Sequence, residues 1–285
     1  MIRQVPKIFF TLVMLAVLGA CSGDDSTTIN IEAPSNNGGD SSGGGDSSGG
    51  DSGGDSGGET PAECPAGTTE VSEGLCELPA TVDSDLTLTS GVSYLMTDRV
   101  TVGNGNGQLE TNGDGTLDDG SAIQSATLTI EAGVEVRGKT GTFANLLITR
   151  GSKIMAMGTA DAPIVFSSDD VGYDGSGEWG GLIIHGFAPH NECAVGGSYC
   201  DIDSEGESGF AGGYDPDDSS GVLRYVVVAE GGYEFSTGNE INGISLVGVG
   251  RTTEMDYIQV HGNSDDGIEF YGGNVNVKHG VFTNN

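Results

Sequence analysis

The chain has 285 residues, of which 51 are glycine, and 42 acidic against 10 basic residues give it a formal net charge of −32. Nucleic acid and anionic lipid are poor partners for such a surface, whereas cations, Ca²⁺ above all, suit its carboxylate oxygens; solubility in a salty medium is the plainer use of the same charge. Beyond the N-terminal leader no stretch approaches the ~18 uninterrupted apolar residues of a membrane span, which sets aside channel and transporter functions.

At the N-terminus Arg3 and Lys7 precede an apolar run, residues 8–18, that ends in Leu18-Gly19-Ala20-Cys21. A basic start, a short apolar run and small residues before a cysteine mark a signal peptide closing in a lipobox. The run is about half the ~20 residues a spanning helix needs. Residues 1–20 are therefore expected to direct export and to be removed, leaving Cys21 to carry lipid; stable anchoring takes more than one acyl chain. Ser22 instead of Asp after the cysteine resembles lipoproteins sent to the outer membrane, facing the periplasm or the cell exterior. Loss of Arg3 and Lys7 leaves 8 basic against 42 acidic residues, a formal charge of −34.

Residues 21–60 read as the lipidated cysteine and a flexible linker, and residues 35–58 contain only Ser, Gly, Asp and Asn. With nothing apolar to bury, ordering this tract loses conformational entropy without return. A Gly-rich coil of this length averages about 35 Å end to end and reaches about 130 Å when taut.

Residues 61–85 form a small cysteine-containing lead-in. The four thiols after Cys21 fall into two local pairs, Cys64 with Cys76 and Cys193 with Cys200. In an exported chain this predicts two disulfides, although four cysteines allow three connectivities.

From residue 86 to 285 no amphipathic helix is apparent. Short apolar runs separated by Gly, Asn, Asp and Ser predict many brief strands. The segment 128–136 aligns with 146–154 at an offset of 18, matching Ile130 with Ile148 and Gly133 with Gly151. Leu223-Arg-Tyr-Val-Val-Val228 aligns with Met255-Asp-Tyr-Ile-Gln-Val260 at an offset of 32, and Asn242-Gly-Ile-Ser-Leu246 with Asp266-Gly-Ile-Glu-Phe270. Such repeats without intervening helices predict an all-β, right-handed parallel β-helix, with Gly133, Gly151 and Gly267 at corners of positive φ. A β-sandwich is the rival fold. A solenoid also needs a cap over its last layer. The final run Val281-Phe-Thr-Asn-Asn285 offers none, so the domain is expected to be C-terminally incomplete.

The segments Gly151-Ser-Lys-Ile-Met-Ala-Met-Gly158, Trp179-Gly-Gly-Leu-Ile-Ile-His-Gly186, 240–250 and 256–273 resemble a family of bacterial right-handed β-helix outer-membrane lipoproteins. The resemblance covers roughly residue 86 to the end. The family's function is poorly defined; some members carry transporter labels, at odds with the missing spans here.

Few residues carry chemistry. Glu110, Asn112, Asp114 and Asp118 surround Gly115 like the front of an EF-hand loop, a candidate Ca²⁺ site. However, Glu stands first where Asp is usual, and Ser121 takes the twelfth place of the bidentate Glu. An Asx-rich turn gives the same pattern. His261, Asp265, Asp266 and Glu269 form a candidate acidic ridge for Ca²⁺ or a sugar hydroxyl, unless Asp-Asp-Gly merely makes a corner; strand alternation sets Glu269 and Asp256 outward. The insertion around Cys193 and Cys200, with Asp203, Glu205, Glu207, Asp215, Asp217 and Asp218, is a candidate recognition loop. His185 and His279 are expected to follow strands and bond locally, and Trp179 to pack over the end of a coil.

The sum is a surface lipoprotein whose rigid acidic β-helix binds, adheres or supports, with Ca²⁺ as the expected cofactor. Its expected partners are the membrane through the lipid alone, and a polysaccharide or another surface protein. A polysaccharide lyase or glycoside hydrolase is the alternative; the lyase needs an Arg or Lys base, and Arg137, Lys139, Arg150, Lys153, Arg224, Arg251 and Lys278 are the candidates, none paired in sequence with an acidic cradle.

Overall fold

The computed structural model describes residues 62–110, 115–194, 197, 200–203 and 206–285. The expected signal peptide, Cys21 and the expected linker lie outside these, as do Asn112, Asp114 and Glu205.

Among the described residues there is no helix, and the strands pile into a parallel β-helix with three faces. Face 1 stacks Leu86–Leu88, Thr127–Ile130 and Lys153–Met157, and face 2 stacks Leu75–Glu77, Ser93–Met96, Glu135–Gly138 and Ile164–Ser168. Face 3 stacks Thr81–Val82, Val100–Val102, Leu146–Ile148, Leu182–His185, Ile244–Val247 and Ile268–Tyr271. In the later coils faces 1 and 2 run through one bent strand each, Gly221–Ala229, Glu254–His261 and Asn276–Thr283. The first coil already draws on Leu75–Glu77 and Thr81–Val82, so the lead-in supplies its opening strands. The disulfide Cys64–Cys76 fastens that entry, with Cys76 fully buried.

Strand alternation explains the core. In Thr127–Ile130 and Glu135–Gly138 every second residue is buried. Inward Leu128, Ile130, Val136, Ile154, Phe166, Leu182, Leu223 and Met255 join in one apolar column through the coils. Each such side chain contributes roughly 1.5–3 kcal/mol on leaving water.

Cross-coil pairing matches two of the internal alignments residue for residue: Leu223 faces Met255 and Val228 faces Val260, and Ile244 faces Ile268 and Leu246 faces Phe270. The offset of 18 is not a coil repeat. Leu128 pairs with Ile154, an offset of 26. The shorter offset instead superposes two different corners of the solenoid, face 1 to face 2 and face 3 to face 1, because Gly133 and Gly151 both turn with positive φ, 80° and 79°. Gly267 lacks that conformation. It is needed for room, since a Cβ there would lie 2.4 Å from the Asn285 side chain.

Trp179 does not lie over a coil end. It is fully buried in the main core, and its indole N–H donates to Ala229 O at 2.7 Å. Gly138 makes that possible, since a Cβ at that position would meet the indole ring at 2.8 Å.

Candidate functional site

Faces 3 and 2 are covered on their outer side over part of their length. Over face 3, Leu147, Ile183 and Ile241 pack with Phe143 and Phe235, and Val247 packs with Cys200, Ile202 and Ala211 of the insertion. On face 2, Val227 and Ala229 stay fully buried. They lie beside segment 169–178, which is tied on by Gly177 N donating to Gly231 O and Glu178 N to Glu230 O. Face 1 keeps an open exterior, as does the early part of face 2, where the Glu135 and Arg137 side chains are 42% and 39% exposed. Four of the eight basic residues beyond residue 20 gather on face 1: Lys153, Arg224 and Lys278 on its strands and Arg251 at its edge.

Two rows run across the coils of face 1. Arg224, Asp256 and Lys278 stand in register, flanked by Val222, Glu254 and Asn276. Arg224 is ion-paired with Glu254, and Arg251 with Asp217 at 2.5 Å, a contact that holds the Arg251 guanidinium above its ordinary pKa. A cleft of about 270 Å³ opens between Arg251, Glu254, Asp256, Asn276 and Lys278. At its border the chain bends from face 1 to face 2 through Tyr225, Tyr257 and His279, with φ of 49°, 54° and 46°. Their rings form a column: centroids 4.4 Å apart at each step, planes within 7° and 10°. His279 Nδ1 donates to Asp256 Oδ1 at 2.7 Å, which turns Nε2 away from the carboxylate; the imidazole is 60% exposed.

His279 thus lies inside a strand, at a bend, and does not follow one. His185 is also placed differently from expectation. It ends Leu182–His185, is fully buried, and its Nε2 meets Ser208 Oγ of the insertion at 3.1 Å. Burial pushes its pKa down to about 3, with the Arg150 charge adding to the shift, so the ring is neutral.

The ridge residues do not converge. His261 Nδ1 meets Thr283 Oγ1 at 2.8 Å, and Asp266 O accepts from Gly243 N at 2.9 Å and from the Asn263 amide at 3.0 Å. Glu269 Oε2 accepts from Asn242 Nδ2 at 2.6 Å and from Tyr271 OH at 2.5 Å. Among the described residues no group of three His, Cys, Asp or Glu could hold a metal ion.

Glu110 and Asp118 sit on facing arms of a turn where Leu109 bridges Leu117. Both leucines are buried, so alternation sends both carboxylates to the other side. The amide of Ser121, the twelfth position, donates to Asp119 Oδ1 at 2.8 Å.

Both expected disulfides are present, and Cys193–Cys200 closes the insertion. Two acids of that insertion serve it internally: Asp215 accepts from Asp217 N at 2.9 Å, and Asp218 from Phe187 N at 2.9 Å, while burial raises the Asp218 pKa; the Asp217 carboxylate instead pairs with Arg251.

Of two buried charged groups, Arg150, a candidate base in the sequence, is sealed away from any substrate, and Glu230 went unnoticed there. Arg150, fully buried, donates to Gly105 O at 2.7 Å, Gly107 O at 2.6 Å, Gly212 O at 3.1 Å and Asp201 Oδ1 at 2.7 Å, clamping two insertions onto face 3. Glu230, 2% exposed with φ 63°, accepts from Ser168 Oγ at 3.0 Å. A charge that comes after a strand and is followed by glycine was the available signal in each case.

The family of pectate-lyase-like β-helix domains matches residues 109–285, more than half of the chain. No curated protein and no solved structure gives a significant match. The chain belongs to the family of pectate-lyase-like β-helix domains.

Proposed function

We propose that this chain is a lipoprotein, tethered by lipid on Cys21 at the outer membrane and standing off it on the 22–60 linker, whose open face 1 binds polysaccharide in a non-catalytic, adhesive role. The observation that carries the reading is the in-register row Arg224, Asp256, Lys278 beside the Tyr225, Tyr257, His279 column, on open face 1. Neighbouring strands lie about 4.8 Å apart, so the last three coils present Arg224, Asp256 and Lys278 at a fixed spacing, in a row that Met157 begins one coil earlier. A linear polymer with a repeating unit engages such a ladder many times over, and weak contacts multiply. Ca²⁺ bound near Glu110 and Asp118 would stiffen the solenoid and offset its negative charge.

The full chain run through gels containing acidic or neutral polysaccharides tests this. Retardation by one class, reduced at least several-fold in Arg224→Ala/Lys278→Ala, is expected. Equal mobility with every polysaccharide removes the proposal.

A lyase is the second reading, favoured by the Asp256–His279 contact, in which a carboxylate orients an imidazole whose Nε2 is directed elsewhere. New unsaturated ends on incubation with polysaccharide, lost in His279→Ala, would establish it in place of the binding role.

A further inference from the structure

We propose that Glu178 and Glu230 share one proton, and that this pair latches the middle of segment 169–178 onto face 2, so that losing the proton as pH rises frees it. Both carboxyl groups converge on Gly175. Its amide donates to Glu230 Oε1 at 3.3 Å, and a Cβ built on it would lie 1.9 Å from Glu178 Oε1. Ser168 Oγ donates to Glu230 Oε2 at 3.0 Å, while Glu178 Oε2 is buried and meets no hydrogen-bond partner. A buried carboxylate oxygen with no donor is costly, and two adjacent carboxylates with no cation between them do not both ionise readily. One retained proton relieves both penalties.

The charged neighbours do not supply the missing cation. Arg137 on face 2 is paired with Glu135 at 2.5 Å, and Lys139 with Asp169 at 2.7 Å. Tyr173, on the segment itself, feels Glu135, Glu230 and Arg137, and its hydroxyl pKa is raised chiefly by burial. The remaining titratable groups are Asp170 and Asp174 on the segment and His261 on the next coil. Burial pushes Glu230 upward and the Glu178 charge adds to it, against the bonds from Ser168 and Gly175. A carboxyl raised in the closed form favours closure at low pH, and that preference is lost as pH climbs through the raised value.

The ends of the segment are held independently. Asp169 is fixed by Lys139 and by Thr140 N at 2.7 Å, and Gly177 and Glu178 by backbone bonds of 2.7 and 2.9 Å to residues 231 and 230. Release is thereby confined to the middle, where Tyr173, Asp174, Gly175 and Ser176 form one wall of a cleft of about 320 Å³ closed opposite by His261 and Asn284. Glu230 keeps a left-handed backbone at φ 63° in this position, a conformation that costs a non-glycine residue energy and that its surroundings must hold.

Amide hydrogen exchange of the full chain, expressed relative to an unstructured peptide at the same pH, tests the latch between about pH 5 and about pH 9, a window above the ordinary carboxylate pKa. Protection at Gly175 is expected to fall several-fold across that range in the wild type, and to stay level in Glu178→Gln/Glu230→Gln. Gly177 and Glu178 amides should hold steady. Level protection of Gly175 in the wild type, an undiminished fall in the double variant, or a parallel fall at Gly177 and Glu178 would each overturn the latch.

Discussion

The rings of Tyr225 and Tyr257 lie 4.4 Å apart with planes within 7°, and each belongs to a residue in the left-handed region, at φ 49° and 54°. Successive coils thus bend at the same place through the same unfavourable conformation, and stacking helps to hold it there. Tyr257 has a ring on either side, the second being His279.

Each stacked pair contributes about 0.5–1.5 kcal/mol, so Tyr257→Ala should lose about 1–3 kcal/mol of stability. Glycine at this site loses the same contacts but escapes the left-handed penalty of roughly 1 kcal/mol. Tyr257→Gly is therefore expected to be the more stable of the two, the reverse of the usual order inside a strand. Chemical denaturation of both variants decides it; an alanine variant that outlasts the glycine variant refutes the strain argument.

Arg150 should be among the least replaceable side chains. Removing it leaves the Asp201 carboxylate, 6% exposed, without its cation and strips hydrogen bonds from Gly105, Gly107 and Gly212. Breaking a buried pair of this kind costs about 3–5 kcal/mol. Arg150→Met/Asp201→Asn should lose less than the two single losses added together, because the second change removes the stranded charge. Strict additivity in denaturation midpoints would show that the pair is not coupled.

The offsets of 32 and 24 were legible because Leu223 to Val228 and Ile244 to Leu246 repeat their apolar residues in true cross-coil register. The offset of 18 misled because corner glycines in one coil look alike. The open face could not be read: which faces are covered depends on where insertions fold back, and Phe143, Phe235 and Ile202 carry no mark of their destination. Arg150 and Glu230 likewise look like surface charges until the segments that bury them are placed. The aromatic column was present in the aligned Tyr225 and Tyr257, but His279 joins it only through the register of Asn276–Thr283 with Glu254–His261.

Calcium, if it binds near Glu110 and Asp118, must stabilise the folded form by mass action, by about 2.7 kcal/mol at a hundredfold excess over Kd. Melting temperature should rise from chelator to saturating Ca²⁺ in the wild type and stay level in Glu110→Gln/Asp118→Asn. A wild-type melting temperature indifferent to Ca²⁺ removes the metal from the proposed function.

His185 sets an acid limit on the fold. Its folded pKa of about 3 lies well below the ordinary histidine value of about 6.5, so the unfolded chain takes up a proton in that interval and the folded chain does not. The contribution is complete above about pH 6.5 and is lost as pH falls toward 3, with a limiting slope of about 1.4 kcal/mol per pH unit for one proton. His185→Gln retains a polar group for Ser208 and has nothing to titrate, so its stability should fall less steeply over the same interval. Denaturation midpoints at several pH values between these limits would show identical slopes for the two proteins if the buried imidazole takes up its proton without unfolding.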